Sequence, residues 1–557
     1  MRIILKKQSA ARLIAGLNGV EGAKAFRDAL VEKIERLRAT EAQVDFGLLD
    51  DEGIGTVERI ALEDGDRSVS GQIATYRKIL KEPGDARISR LPHLEGAIVE
   101  WILKDVIKGW VFKRSDDGLK AWTVDDVHYD IGVNREASVQ VGMSANVPML
   151  IGETERHRIG RHSITVYSKS LPASVEEIMA EQGFLHETQD LHQEYEEARR
   201  RYVEILDQPN AQFRLAAGRY AGVNRKNHYG TNKLVIAAQH RCVNDETLVM
   251  RPARDAASRN HWDDRTSSHG KRRTPGGPRD IPDTAFNEMP THFLHLVYDL
   301  DAHGYAWVPG SALEEYVYHP EQVEHLVLPD DHRELVDILT ADGDILIDDV
   351  VEGKSGGTIV LLRGKPGLGK TLLAEVYAEK MRKILYRIQA GQLGTTPQEV
   401  AEGIADLYEN AGRWDAVVLI DECDVYTRER GDDMEHNAVV ASLLVTFERQ
   451  TAITFLATNR ADVDDAIISR CIAVVNFRSP DKEAARRIWR IQADTIGVEI
   501  SDATITEIVE HHEGADGQRA SGRDIRALLK LALRYNRARG RAVDTELLIS
   551  LGAFKGL

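Results

Sequence analysis

The sequence predicts an α/β fold built on a parallel sheet for the C-terminal part of the chain, preceded by a helical segment and a strand-rich α+β region. Three observations carry that expectation. Short apolar runs at "TIVLL", "VVLI" and "ITFLA" each end in glycine or polar residues, as strands do in a sheet covered on both faces, with functional groups collecting at the carboxyl ends. The first run breaks on closely spaced glycines and continues into "TLLAEVYAEKMRK", whose apolar residues recur at helical spacing. Residues 481 to 540 then keep a helical pattern throughout.

From the N-terminus, the 557 residues exceed one ordinary core, so about three or four domains are expected. Residues 1–100 read as helical, because "AKAFRDALVEKIERLRATEA" and "HLEGAIVEWILKDVIKGW" space apolar residues by three and four. Residues 101–320 read as a strand-rich α+β domain for a substrate or partner. "WVFKRSDDGLKAWTV", "ASVQVGMSAN" and "HSITVYSKSL" are β-branched and aromatic runs between turn residues, and a helix-like insert follows them. Within this region, residues 251–280 are rich in Arg, Ser, Gly and Pro and poor in apolar residues, which predicts a mobile basic loop. A solvated insertion is the simpler reading of that loop. An anionic partner, a nucleic-acid backbone or an acidic protein surface, is the alternative. Residues 321–480 form the predicted α/β domain and 481–557 a helical one.

Composition narrows the function classes. A net charge of -17 argues against wholesale wrapping of nucleic acid. Cys242, Cys423 and Cys471 lie far apart without metal-ligand spacing, so neither a disulfide framework nor a zinc site is expected. No apolar run approaches the roughly 20 residues that a bilayer span needs, and the expected setting is the cytoplasm, with no membrane.

The chemistry begins at "GKPGLGKT". Gly364, Gly369, Lys370 and Thr371 fit Gly-x-x-x-x-Gly-Lys-Ser/Thr, a loop whose backbone amides turn around a polyphosphate at a helix N-terminus. The expected nucleotide-binding set is Gly364, Lys365, Pro366, Gly367, Leu368, Gly369, Lys370, Thr371 and Leu372. In it Lys370 reaches the β- and γ-phosphates and Thr371 supplies a hydroxyl to Mg²⁺. About 50 residues on, "DAVVLIDECD" is an apolar strand ending in adjacent acids. Asp421 is expected to hold Mg²⁺ and Glu422 to polarise the attacking water. "ITFLATNR" ends in Asn459, expected near the γ-phosphate to orient that water.

The series "GKPGLGKT", "VVLIDE", "ATNR", "DDAIISRC" and "SGRDIRALLK" resembles the AAA+ ATPases, in the AAA branch, over about residues 321–557. The first 320 residues carry no such resemblance. The likeness implies a P-loop NTPase sheet with an α-helical lid, ATP and Mg²⁺ as cofactors, and a homo-oligomeric ring, a hexamer being the expected form. It implies that Arg470, in "IISRC", is an arginine finger reaching the neighbouring subunit's nucleotide, with Arg478 as a nearby rival. Arg523 resembles the sensor 2 arginine, with Arg526 as its substitute. One departure stands out: "ILYRI" is followed by "QAGQLGTTPQEVAEGI", without the aromatic pore loop of many AAA unfoldases. Leu393 and Gly394 are its nearest remnants, which leaves open whether a polypeptide is threaded.

The leading expectation is therefore an ATP-hydrolysing ring that remodels or regulates a protein partner recognised by residues 1–320. The alternatives are a nucleic-acid-directed ATPase, and an ATP-dependent regulator of a separately encoded protease or nuclease, including antiviral defence. No protease, nuclease or metal-ligand cluster can be assembled from spacing alone.

Overall fold

The computed structural model describes residues 1–36, 41–115, 118–131, 136–151, 159–223, 232–250, 285–340, 357–394, 396–428, 434–447, 450–511 and 519–554. The basic segment 251–280 lies outside the described residues. Two units divide the chain. Met1–Pro209 with Phe213–Glu314 form the first, and Asn210–Gln212 with Glu315–Leu557 the second.

In the first unit the helical spacing of the opening hundred residues becomes the helices Lys7–Gly16, Lys24–Val31, Asp51–Glu63, Arg67–Lys81 and Leu91–Leu103. Two strands also lie there, Arg2–Lys6 and Glu41–Asp45. They pair antiparallel, with Ile3 opposite Val44 and Leu5 opposite Ala42, and their alternating side chains enter the core. Leu91–Leu103 is apolar nearly all round and buried accordingly. Its Leu94 and Ile98 share a core with Val124, Val139 and Val141, so the opening helices and the following sheet bury one continuous apolar interior. That sheet has five antiparallel strands in the order Ile159–Tyr167, Ala137–Asn146, Gly118–Ile131, Trp110–Ser115, Phe184–His186. A seven-stranded sheet follows. It includes Gly304–Pro309, hydrogen-bonded to Leu294–Asp299 on one side and Gly218–Val223 on the other.

One carboxylate braces one edge of the five-stranded sheet. Glu187 is 3% exposed and sits between strand Phe184–His186 and helix Gln189–Leu206. Its Oε1 accepts the amides of Ile107 and Gly109, both at 2.9 Å, and its Oε2 accepts the Lys108 amide at 3.0 Å. His192 Nε2 lies 2.9 Å from the same Oε2. Burial opposes ionisation of Glu187, but the His192 contact and these amides outweigh it and hold its pKa below the usual value. Glu187→Ala should lower the stability of this unit by about 3 kcal/mol, because it strands buried donors. Urea unfolding of the full chain, compared with the parent, would read the change. Since the folded pKa is depressed, this contribution is present above the unfolded value near 4.5 and lost as pH falls through the folded one.

The second unit carries the predicted α/β fold. Its strands are β1 (Ile359–Gly364), β2 (Leu385–Gln389), β3 (Val417–Asp421), β4 (Thr454–Thr458) and β5 (Ala473–Phe477). They lie in the order β2-β3-β4-β1-β5, and every pairing is parallel. Val417 through Ile420 are all 0% exposed, as a strand covered on both faces requires. Helix α1 (Lys370–Met381) follows β1, and α2 (Pro397–Trp414) precedes β3. Leu373, Ala374 and Tyr377 of α1 pack with Val360, Leu419 and Phe455 of the sheet. Four further helices, α3 (Lys482–Ile496), α4 (Asp502–His511), α5 (Gly522–Arg539) and α6 (Thr545–Ala553), close around their own core of Trp489, Ile508, Leu528 and Leu548. These helices occupy the residues after 480 for which the sequence predicts a helical pattern. The two arginine-bearing helices among them begin at side-chain caps, Asp481 for α3 and Ser521 for α5.

Candidate active site

The glycine loop between β1 and α1 is set by backbone conformations that side chains resist. Gly367 and Gly369 have φ of 81° and 99°, in the left-handed region that glycine enters without penalty. A Cβ at Gly367 would lie 2.7 Å from Ser521 Oγ, and one at Gly364 2.4 Å from the Phe477 carbonyl oxygen. Gly369 caps α1 without any side-chain hydrogen bond, so no capping side chain takes up the first amides of α1.

The polar residues converge just beyond. Lys370 is 7% exposed. Its Nζ donates to the carbonyls of Gly364 at 2.7 Å and Lys365 at 2.9 Å, and to Asn459 Oδ1 at 2.9 Å. Burial lowers the Lys370 pKa from its usual value, while Asp421 and Asp424 pull the other way. Thr371 Oγ1 donates to Asp421 Oδ2 at 3.0 Å. The residues expected at the ends of β1, β3 and β4 therefore meet in one place.

Glu422 is exposed and follows β3 with a φ of 54°, a strained conformation of the kind found at functional sites. Its amide donates to Asp421 Oδ1 at 3.0 Å. Glu422 lines the cavity. Asn459 is held from below, its amide donating to Asp424 Oδ1 at 2.7 Å and its Nδ2 to Oδ2 at 3.2 Å. Burial works against ionisation of Asp424, and the Thr458 hydroxyl and the Asn459 groups outweigh it, so its pKa is lowered.

The cavity has a volume of ≈ 1150 Å³. It is lined by Pro366 through Leu372, by Asp421, Glu422 and Asn459, and by the apolar Leu326, Leu328, Ile488 and Ile491. Arg523 and Arg526, at the start of α5, line it, and so does Arg478. Arg470 is not among the lining residues. It follows the short helix Asp465–Ile468, and its Nη1 donates to the Ala466 carbonyl at 3.2 Å.

Two residues of this neighbourhood were absent from the sequence expectations. Asp424 was visible as the last acid of "DECD", and its partner Asn459 had been singled out. Arg387 had no local signal, being a lone cation inside "ILYRI"; its Nη2 meets Asp421 Oδ2 at 2.7 Å. Leu393 and Gly394, the residues expected nearest to a pore loop, follow the short helix Ala390–Gln392. Leu393 is 3% exposed, and Tyr426 Oη lies 2.9 Å and 2.8 Å from the carbonyls of Ala390 and Gly394.

His240, Asp299 and Asp301 of the first unit also gather within 4.8 Å of one another, which spacing had not revealed. Asp299 takes His240 on one oxygen and the amides of Asp301 and Ala302 on the other. Asp301 takes the Arg241 amide. These bonds describe a braced turn between two strands.

At the cavity the donor chemistry suits a magnesium-bound polyphosphate. Backbone amides at a helix start and a buried ammonium favour phosphate, and a hydroxyl beside a carboxylate offers the oxygen ligands that Mg²⁺ prefers.

Comparison with known proteins follows the same geography. Residues 360–479 match the family described as "ATPase family associated with various cellular activities (AAA)". An uncharacterized AAA family ATPase of Sinorhizobium fredii, y4kL, is 30% identical over 177 residues, which are 30% of this chain and 54% of that protein. The ATP-dependent zinc metalloprotease FtsH 3 of Sphaerobacter thermophilus is 34% identical over 146 residues, 24% of this chain and 30% of that one. Among solved structures, a chain of the E. coli MS115-1 HORMA:CdnC:Trip13 complex overlays on 42% of this chain and 90% of its own, with 18% identity and a TM-score of 0.35. The chain spans about half the length of the first of these relatives or less. No helix among the described residues is long and apolar enough to cross a membrane.

Proposed function

Because residues 360–479 form an AAA-family ATPase domain, we propose that the chain hydrolyses ATP to ADP and phosphate within a cytoplasmic homo-oligomeric ring, and uses that cycle to remodel or regulate a protein partner engaged by its first unit. The observation that carries this reading is the convergence of Lys370, Thr371, Asp421 and Asn459 through hydrogen bonds of 2.9 and 3.0 Å in one cavity, with Glu422 facing the same space.

In this mechanism the amides of Gly367 through Thr371 and the Lys370 ammonium grip the β- and γ-phosphates. Thr371 and Asp421 would hold Mg²⁺, which would supply charge neutralisation at the phosphate oxygens. Glu422 accepts the proton of the attacking water, and Asn459, braced by Asp424, orients it. Arg523 reaches in from the lid, and Arg470 acts on the nucleotide of a neighbouring copy.

Lys370→Ala tests the premise. Removing the ammonium should weaken ATP binding about 100-fold, since truncating one partner of a desolvated charge pair costs a few kcal/mol. Equilibrium binding of ATP to the full chain with Mg²⁺ reads this. Affinity within about threefold of the parent would mean that the phosphates bind elsewhere.

A further inference from the structure

Arg387 is a cation with no part in the mechanism above, yet it touches the centre of the site. It lies on β2, opposite Leu419 of β3 in register. Asp421 is two residues beyond Leu419, so it projects from the same face of the sheet, and an arginine is long enough to cross that diagonal. Arg387 Nη2 reaches Asp421 Oδ2 at 2.7 Å, the oxygen that also accepts from Thr371 at 3.0 Å. Asp421 Oδ1 is taken by the Glu422 amide. Both oxygens of the expected metal ligand are thus engaged, and the Thr371 hydroxyl with them. The same guanidinium has a second acid in range: its Nη1 stands 3.7 Å from Glu375 Oε1 on α1. Arg387 and Glu375 are 41% and 42% exposed, so both side chains have room to re-pair, and both line the cavity.

We propose that Arg387 is a positioning residue that occupies the Asp421 carboxylate until Mg²⁺ arrives with the nucleotide, and then re-pairs with Glu375. This rests on the reading of the cavity as an Mg-ATP site. Its consequence is a raised metal requirement: nucleotide without metal leaves Asp421 neutralised by Arg387, and Mg²⁺ must displace one cation to enter.

The test uses a fluorescent, non-hydrolysable ATP analogue bound to the full chain, in EDTA and across an Mg²⁺ titration, so that turnover plays no part. Arg387→Ala should lower the Mg²⁺ concentration giving half the metal-dependent gain in affinity by about fivefold, the scale of a partly exposed ion pair, and should weaken binding in EDTA alone, where nothing then neutralises Asp421. Arg387→Lys keeps the charge and should stay near the parent value. Glu375→Gln removes the alternative partner and should raise the requirement. An Mg²⁺ midpoint unmoved in both Arg387→Ala and Glu375→Gln overturns the proposal. So does an equal loss of affinity with and without metal in Arg387→Ala, which would make Arg387 a direct phosphate contact. Lys370→Ala separates the two levels: if it binds the analogue like the parent, the reading of the cavity fails, whatever Arg387 does.

Discussion

Glu422→Gln is expected to cut ATP turnover about 10³-fold while ATP stays bound, the size of effect that losing a general base produces. The substitution is nearly isosteric, so volume and backbone conformation are preserved. That matters at this position, because Glu422 already sits at a φ of 54° and a smaller or branched residue would confound chemistry with strain. Lys370, Thr371 and Asp421 make their hydrogen bonds without the Glu422 side chain, so the phosphate grip should survive. What disappears is the carboxylate that can take a proton from water. Phosphate release and bound nucleotide, measured on the same preparation, separate the two effects. Turnover within about threefold of the parent would remove Glu422 from the mechanism.

The neighbourhood of Lys370 is legible in the sequence because each piece is contiguous. A strand that is apolar throughout, ending in a glycine loop or in acids, needs only local pattern to be recognised, and a parallel sheet brings such ends to one edge. Arg387 fails that condition. Its meeting with Asp421 depends on the register between β2 and β3, and nothing within "ILYRI" reports register. The same limit applies in the first unit. "RIILK" and "EAQVD" each carry too few residues to show a period of two, and they become strands because they pair with each other across 39 residues or so. Glu187 is the clearest case: a single acid after a short strand has no pattern at all, yet it gathers the amides of a turn about 80 residues away.

Arg470→Ala should leave ATP affinity nearly intact and lower turnover about 10³-fold, the lower range for an arginine supplied to a transferring phosphoryl group. The expectation rests on where the arginines lie. Arg478, Arg523 and Arg526 line the chain's own cavity, and Arg470 does not. An arginine that serves the nucleotide of a neighbouring copy need not line its own cavity. That claim makes a sharper prediction than loss of activity. Mixing Arg470→Ala with Glu422→Gln subunits creates sites in which an intact Glu422 of one copy faces an intact Arg470 of the next. With random assembly in equal amounts, about a quarter of the sites in a head-to-tail ring are of this kind. Two nearly inactive proteins should together recover roughly that share of the parent rate. If the mixture stays as slow as its components although mass measurements show mixed oligomers, Arg470 does not act across the interface. Arg478→Ala, put through the same mixing, would then show whether the rival arginine crosses it instead.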